Sequence, residues 1–274
     1  MIHAKHLSLT LRDGQRSLTA LQDINIHIKK GEWVALTGAN GSGKSSLVRT
    51  FNGLLIPSGG RLTAAGLDLR SAASRSAVKQ SIQLVFQSPE AQTIGSTPEE
   101  DVAFGLENRG ISREEMKART LRALRRTGLA HKAAVPVSDL SGGERQRLAI
   151  ACCLALEAEM IIFDEATSML DPVSRKEIFA FSRELWRRGA TVLWVTQRIE
   201  EVAAGERAVV MDRGRIIYDG DPRTLFYRSG LPAELRWEDP PVIGIGRLMR
   251  DSGWPAELLP LTEQELEEAL CLYS

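Results

Sequence analysis

Residues 38–46 read GANGSGKSS, a glycine-rich stretch that ends in a lysine and two serines. From Gly38 to Ser45 it matches the phosphate-binding pattern G-x-x-x-x-G-K-[ST]. The strand-like run EWVALT precedes it and the helix-like run SLVRTFNGL follows it, which is the context that the pattern requires. That context favours a phosphate-binding loop at the start of a helix over an ordinary glycine-rich turn.

Each residue type in this loop has a chemical task. Glycines let backbone N–H groups turn toward phosphate oxygens, Lys44 adds a positive charge for the β and γ phosphates, and Ser45 offers a hydroxyl to Mg²⁺. ATP and Mg²⁺ are therefore the expected ligands. The residues of the loop that are predicted to bind the nucleotide are Gly38, Asn40, Gly41, Ser42, Gly43, Lys44, Ser45 and Ser46.

Two carboxylates follow the apolar run IIF at residues 161–163. Asp164 is predicted to emerge at the carboxyl edge of the sheet beside the phosphate loop, where it would hold Mg²⁺ through water together with Ser45. Glu165 is predicted to polarise the attacking water, because phosphoryl transfer depends mainly on positioning and charge stabilisation. A simple strand-end turn is the alternative reading of the Asp-Glu pair.

Strand-like and helix-like segments alternate along the chain, which predicts an α/β fold with a largely parallel sheet and helices on both faces. The runs HLSLTL, INIHI and WVAL within residues 1–35 predict an antiparallel β layer that leads into the loop. Helices are expected at 98–108, from Ser112 to a stop at Gly128 with a Ser112–Glu115 capping box, and from Asp171 to Gly189. RAVVMDRGRIIYDG predicts a hairpin.

The predicted organisation is a nucleotide-binding domain at 1–228, with a helical subdomain at about 88–158, and a small C-terminal segment at 229–274. That segment is too short to fold on its own core, so we expect it to pack on something else.

Composition narrows the function classes. With 35 basic and 35 acidic residues and no tract of basic residues interleaved with aromatics, the chain lacks the charge pattern of a nucleic-acid binder. Cys152, Cys153 and Cys271 have no metal-site spacing, so reduced or packed thiols are expected. The N-terminus lacks the apolar run of a signal peptide, and the longest apolar stretch, 148–156, is far below the roughly 20 residues of a spanning helix. Any membrane role is expected to come through a partner.

LSGGERQR at 140–147 completes a set of motifs that resembles the ATP-binding cassette ATPases. The resemblance implies a head-to-tail dimer in which one chain's Ser141, Gly142 and Gly143 bind the γ phosphate held by the other chain. It also implies that Gln87 touches Mg²⁺ and senses the transmembrane partner, and that Asp171 lies in a dimer-spanning loop. The alternatives are a helix-opening cap for 141–143, an ordinary loop amide for Gln87 and a helix N-cap for Asp171, which is compatible with both roles.

VFQSPEAQ, TPEEDVAFGLEN, DEATSMLDP, DPPVIGIGRLMRDSG and PLTEQELEEAL together resemble the A component of energy-coupling factor transporters, over nearly the whole chain. The resemblance implies that a pair of A subunits drives a transmembrane T subunit and a substrate-binding S subunit, at the cytoplasmic face of the membrane, to import vitamins or transition-metal ions. It also implies that 229–274 is a dimerisation element. Glu90, Glu99 and Glu100 are candidate acceptors for arginines of the T subunit, and a solvated acidic surface is the alternative.

Two positions depart from the family pattern. Gln197 stands where the family has a histidine that contacts the γ phosphate, and an amide can donate a hydrogen bond but cannot carry a proton. Leu11 stands where the family has an adenine-stacking aromatic, which is expected to cost about 1 kcal/mol of nucleotide affinity. The pair suggests half of a heterodimer whose own site is slow.

Other function classes fit less well. Repair-type cassettes carry long coiled coils and translation-type cassettes carry two cassettes in one chain, and neither feature is in this sequence. A small-molecule kinase would leave LSGGERQR without a role. A subunit that binds ATP without hydrolysing it is favoured by Gln197 and opposed by Glu165.

Overall fold

The computed structural model describes residues 1–13, 16–88, 92–255 and 258–272. The strands of the described residues are β1 (Ile2–Asp13), β2 (Arg16–Ile28), β3 (Trp33–Gly38), β4 (Gly59–Ala64), β5 (Leu67–Asp68), β6 (Ile82–Val85), β7 (Met160–Asp164), β8 (Thr191–Val195), β9 (Arg207–Asp212) and β10 (Arg215–Gly220). The helices are α1 (Lys44–Phe51), α2 (Ala72–Ser81), α3 (Pro98–Glu107), α4 (Arg113–Arg126), α5 (Gly142–Ala155), α6 (Pro172–Arg187), α7 (Ile199–Ala203), α8 (Pro222–Tyr227), α9 (Leu231–Glu234), α10 (Pro241–Asp251) and α11 (Glu263–Leu272).

The strands form two sheets. An antiparallel sheet has the order β2-β1-β4-β5, and a six-stranded sheet has the order β10-β9-β3-β8-β7-β6. In the larger sheet, β6 to β9 and β3 run parallel, while β10 pairs antiparallel with β9 as the predicted hairpin. The α/β class with its added antiparallel layer is therefore confirmed.

The assignment of WVAL to the antiparallel layer was wrong. These residues belong to β3, which is the central strand of the larger sheet between β8 and β9. All six residues of β3 are buried. Val34 and Leu36 pack in one cluster with the smaller sheet and α1, and Trp33 and Ala35 pack in the cluster under α5 and α6. A continuous apolar run is typical of a parallel strand buried on both faces, so the signal was present in the sequence.

Local sequence explains most helix boundaries. Thr97, Ser112, Ser141 and Asp171 each accept a hydrogen bond from a backbone N–H of the first turn that follows them. The predicted capping box at Ser112 forms only in half, because the carboxylate of Glu115 pairs with Arg119 at 2.7 Å instead. A full capping box joins Ser141 and Glu144 at the start of α5.

Three buried clusters hold these elements together. One lies between the two sheets, one lies on the other face of the larger sheet under α5 and α6, and one joins α3, α4 and α5. The last includes Val102, Leu106, Leu124 and Leu148, which gives the helical subdomain a core of its own.

The C-terminal helices pack on the core of the same chain. Ile243, Met249, Leu259 and Leu261 are buried in one cluster with Trp33 and Phe226. The Tyr227 hydroxyl donates a hydrogen bond to the backbone oxygen of Pro260, and Arg223 pairs with Glu265 at 2.8 Å. The packing that a 46-residue segment needs is thus supplied within the chain.

Two further observations concern the membrane and the thiols. Among the described residues, the longest apolar helical segments fall short of what crossing a lipid bilayer requires. Cys152 is half-buried, Cys153 is buried and Cys271 is exposed, and none of them forms a disulfide. Burial raises the pKa of the Cys153 thiol to about 12, so this thiol stays protonated and unreactive.

Candidate active site

The phosphate loop joins β3 to α1 at the carboxyl edge of the larger sheet. Gly43 has φ +103, and a Cβ at this position would lie 2.6 Å from the backbone oxygen of Ala20. Gly38 has φ +147 and would meet the backbone oxygen of Met211 in the same way. Only glycine fits at both positions, so the loop stays closely packed while the first amide groups of α1 remain available to an anion.

Lys44 lies at the base of the loop and is 5% exposed. Its Nζ donates hydrogen bonds to the backbone oxygens of Gly38 and Ala39 at 2.8 and 3.1 Å, and lies 3.6 Å from Glu165 Oε1. Burial lowers the pKa of the Lys44 ammonium, and the nearby carboxylate of Glu165 opposes that shift. Glu165 is therefore the carboxylate that faces this buried ammonium, and a phosphate oxygen in the loop would offer it a second negative partner.

Asp164 ends β7 beside the start of α1. The Ser45 hydroxyl donates to Asp164 Oδ1 at 3.1 Å, so a hydroxyl and a carboxylate converge as predicted from the sequence. Asp164 is 4% exposed, and burial raises the pKa of its carboxyl group. A divalent cation at this point would offset that cost of burying the charge.

Glu165 has φ +52, in the left-handed region that residues other than glycine rarely adopt. Its backbone N–H donates to Val195 O at 3.1 Å, which ties the residue to the end of β8. Backbone strain of this kind often occurs at active sites, where it directs one side chain. Here it places the carboxylate next to Lys44 and Gln197.

Gln197 follows β8 and bridges two parts of the site. Its Nε2 donates to Glu165 Oε1 at 2.7 Å and to Asn40 Oδ1 at 2.9 Å. One amide therefore joins the predicted water-polarising carboxylate to the tip of the phosphate loop. The sequence placed Gln197 and Asn40 at the site but did not indicate this contact.

A cavity of about 480 Å³ opens beside the loop. Residues 40–46, Glu165 and Leu11 line it, and Leu11 is 36% exposed. Sequence reasoning missed the residues of β2 and of the β9–β10 turn that share the lining: Leu18, Thr19, Ala20, Gln22, Arg213 and Gly214. No local motif indicates that these residues line a site. The sequence DRG at 212–214 predicts only the turn of the β9–β10 hairpin.

Other predicted site residues lie elsewhere in the described chain. Ser141, Gly142 and Gly143 open α5 outside this cavity, and a Cβ on Gly143 would clash with the side chain of Ser174. Gln87 is exposed just after β6, the edge strand. The cavity beside the phosphate loop is lined by none of these four residues.

The acidic candidates for a T-subunit contact differ among themselves. Glu99 and Glu100 are both exposed in the first turn of α3, and Glu100 also accepts a hydrogen bond from Ser96 N at 3.0 Å. Glu90 lies outside the described residues. Asp171 Oδ1 accepts from the backbone N–H groups of Val173 and Ser174, each at 3.0 Å, so its N-cap role is confirmed.

The residues fit a magnesium nucleotide better than a protein-bound metal. The described residues contain no group of three histidine, cysteine or acidic side chains that could hold a metal ion by themselves. Mg²⁺ in nucleotide sites is held by one or two protein oxygens together with phosphate oxygens, which is what Ser45 and Asp164 can supply.

Comparison with known proteins identifies the family. The family model described as ABC transporter matches residues 21–168. The chain belongs to the ABC transporter family. It is therefore an ABC-type ATPase. The names of its sequence relatives indicate a narrower group within that family. The energy-coupling factor transporter ATP-binding protein EcfA1 of Symbiobacterium thermophilum is 40% identical over 93% of this chain and 90% of the relative. That of Caldanaerobacter subterraneus is 36% identical over 99% of both.

Solved structures place this ABC ATPase in the same group. It is similar to cbiO1 from Clostridium perfringens, part of the ABC transporter complex cbiONQ, with a TM-score of 0.76 and 33% identity over 91% of this chain and 98% of that one. A dimeric ATP-binding cassette bound to ADP and inorganic phosphate has a TM-score of 0.74 and 28% identity over 81% and 99%. The resemblance to ATP-binding subunits of energy-coupling factor transporters is thus confirmed.

Proposed function

We propose that this ABC ATPase binds Mg·ATP on its phosphate loop and hydrolyses it to power an energy-coupling factor importer. One observation carries the proposal. Lys44, Ser45, Asp164, Glu165 and Gln197 come from three separate segments and converge in one connected set of contacts beside a cavity of about 480 Å³.

Each residue has a proposed role. Lys44 exchanges its contact with Glu165 for the β and γ phosphates, and Ser45 and Asp164 hold Mg²⁺. When bound, Mg²⁺ neutralises charge on the phosphate oxygens. Glu165 accepts a proton from the attacking water, and Gln197 orients Glu165 and donates to the γ phosphate. Leu11 provides an apolar contact for the base.

A second subunit completes the site in this proposal. Ser141, Gly142 and Gly143 lie at the N-terminus of a 14-residue helix, where free amide groups and the helix dipole favour a phosphate. They lie away from the chain's own loop, which supports binding to the nucleotide of a partner. We favour a heterodimer, because Gln197 and Leu11 weaken one site while the segment at 141–143 is intact.

The proposed membrane partners are a T subunit and an S subunit, with the chain peripheral on the cytoplasmic face. The names of the relatives support this assignment, and the substrate class, vitamins or transition-metal ions, rests on the family alone. Gln87 and Glu99 are the proposed contacts with the T subunit. The exposed side chains of Ile245, Leu248 and Leu272 support a contact between C-terminal segments.

The test is the substitution Glu165→Gln in the complete transporter. We expect hydrolysis to fall by roughly 10²-fold or more and a nucleotide-bound dimer to accumulate, because the amide binds but cannot accept a proton. Turnover is measured by phosphate release from the complete transporter, and the dimer is measured by light scattering of the purified ATP-binding subunits with ATP. Glu206→Gln, a change on the protein surface, is the control. Hydrolysis at the wild-type rate in Glu165→Gln would rule out Glu165 as the base.

A second candidate function is a degenerate ATP-binding subunit that lends its segment at 141–143 to a partner. The residue that contacts Glu165 is an amide, Gln197, where the family has a histidine. An amide cannot carry the proton that a histidine can, and this favours the second candidate. In that case Gln197→His should raise turnover by roughly 10²-fold. Brisk hydrolysis by the purified chain alone, unchanged by Gln197→His, would exclude this candidate.

A further inference from the structure

A buried carboxylate on α7, Glu201, is not used by the mechanism above. It is 5% exposed and lies four residues after Gln197. Burial raises the pKa of its carboxyl group, so its charge needs strong hydrogen bonds to persist in the folded chain. Such a group is retained in a core only where its acceptor oxygens have partners.

One oxygen of Glu201 is bound to the end of β8. Oε2 accepts from Thr196 Oγ1 at 2.6 Å and from Trp194 Nε1 at 2.8 Å. Thr196 Oγ1 in turn accepts from the backbone N–H of Arg198 at 3.0 Å. The carboxylate and the threonine hydroxyl together fix the backbone on both sides of Gln197.

The other oxygen faces the segment that follows β7. Oε1 accepts from Thr167 Oγ1 at 3.4 Å, and Thr167 lies two residues after Glu165. Arg198 Nε is 3.7 Å from the same oxygen, so a cation also faces the group. A single carboxylate therefore links the segment that carries Glu165 to the one that carries Gln197.

We propose that Glu201 is a positioning residue for ATP hydrolysis, which holds the turn at 196–198 so that Gln197 Nε2 stays within hydrogen-bond distance of Glu165 Oε1. The proposal rests on the proposed function of those two residues. It follows from the connectivity, because each oxygen of Glu201 binds one of the two segments whose side chains meet at 2.7 Å. Misplacement of a catalytic group by about 1 Å is enough to lower turnover strongly.

A purely structural role of Glu201 would change turnover and melting temperature in a different way. If Glu201 only filled the core, its replacement would lower the melting temperature and leave turnover per folded molecule unchanged. If Glu201 acts through Gln197, its effect on turnover should disappear once the Gln197 side chain is removed. A double-mutant cycle separates the two cases.

The experiment uses the complete transporter and measures kcat, KM for ATP and melting temperature. Glu201→Leu keeps the volume and removes both acceptors, and we expect kcat to fall about 10- to 100-fold with KM changed by less than about twofold. Glu201→Gln should recover part of the loss, because its amide oxygen still accepts from Thr196 and Trp194. Glu114→Gln, at an exposed position of α4 away from this turn, should match the wild type.

The cycle supplies the decisive comparison. In a Gln197→Ala background, Glu201→Leu should change kcat by less than about twofold. An equal loss in both backgrounds, or an unchanged kcat in soluble Glu201→Leu, would overturn the proposal. If Glu201→Leu does not fold, Thr196→Val replaces it in the same cycle, with the same outcomes. A wild-type transporter without ATP hydrolysis would instead contradict the proposed function.

Discussion

Asp164 carries a buried carboxyl group, and the charge of that group lowers the stability of the fold. Its carboxyl group is buried at the end of β7, beside the Ser45 hydroxyl, and burial raises its pKa. Because the folded chain holds the proton more tightly than the unfolded chain does, this group destabilises the fold as pH rises above its unfolded pKa of about 3.9. Bound Mg²⁺ would remove that penalty, which couples metal binding to stability.

We therefore expect Asp164→Asn to raise the melting temperature of the nucleotide-free chain at pH 7 and above. The gain should shrink toward zero as pH falls below about 4, where the wild-type carboxyl becomes protonated in the unfolded state as well as in the folded state. Each kcal/mol corresponds to roughly 2–4 °C for a chain of this size. Thermal unfolding from pH 3 to pH 8 measures the gain, with Glu107→Gln at an exposed position of α3 as the control. A gain that is independent of pH would contradict this account.

Sequence motifs indicate residues whose predicted task depends on local spacing. The glycines, Lys44 and Ser45 are recognisable because a phosphate loop needs those residue types at fixed spacing, and Asp164 because it ends an apolar strand. Glu201 and Gln146 were not recognised, because their partners are set by how strands and helices come together. Gln146 binds a backbone oxygen 60 positions away.

At the scale of elements, α5 is joined to the loop that carries Gln87. Gln146 is fully buried on α5, and its Nε2 donates to Phe86 O at 3.2 Å, while its Oε1 has no hydrogen-bond partner among the described residues. Phe86 N also donates to Gln92 Oε1 at 2.8 Å. The helix that begins with the segment at 141–143 thus contacts the residue directly before Gln87.

Replacement of Gln146 should separate stability from activity. Gln146→Leu removes one hydrogen bond and one buried unpaired oxygen, so we expect the free energy of unfolding to change by less than about 1 kcal/mol. Turnover in the complete transporter should fall roughly 3- to 10-fold, because α5 no longer fixes the loop. Denaturant unfolding and ATPase assays measure the two effects. Gln264→Leu, on the exposed face of α11, should change neither, and normal turnover in Gln146→Leu would show that this contact is only structural.

At the scale of the whole molecule, the segment 229–274 is part of the main core. Ile243, Met249, Leu259 and Leu261 pack in one cluster with Trp33 of β3, the strand that leads into the phosphate loop. Residues on both sides of position 228 share one buried cluster. The domain boundary at residue 228 therefore stays a prediction from the sequence. The same helices also present Leu248 and Leu272, which are 68% and 72% exposed.

This arrangement predicts different outcomes for truncation and for a surface change. Burial of four aliphatic side chains contributes about 6–12 kcal/mol, and the entropy of ordering the segment offsets part of it. Because domains are stable by only about 5–15 kcal/mol, a chain ending at residue 228 should aggregate or melt at least about 10 °C lower. Leu248→Glu should leave the melting temperature unchanged and weaken association with the second ATP-binding subunit, measured by light scattering. A truncated chain as stable as the full one would mean that the core does not depend on 229–274, and unaltered association of Leu248→Glu would remove this surface from the dimer contact.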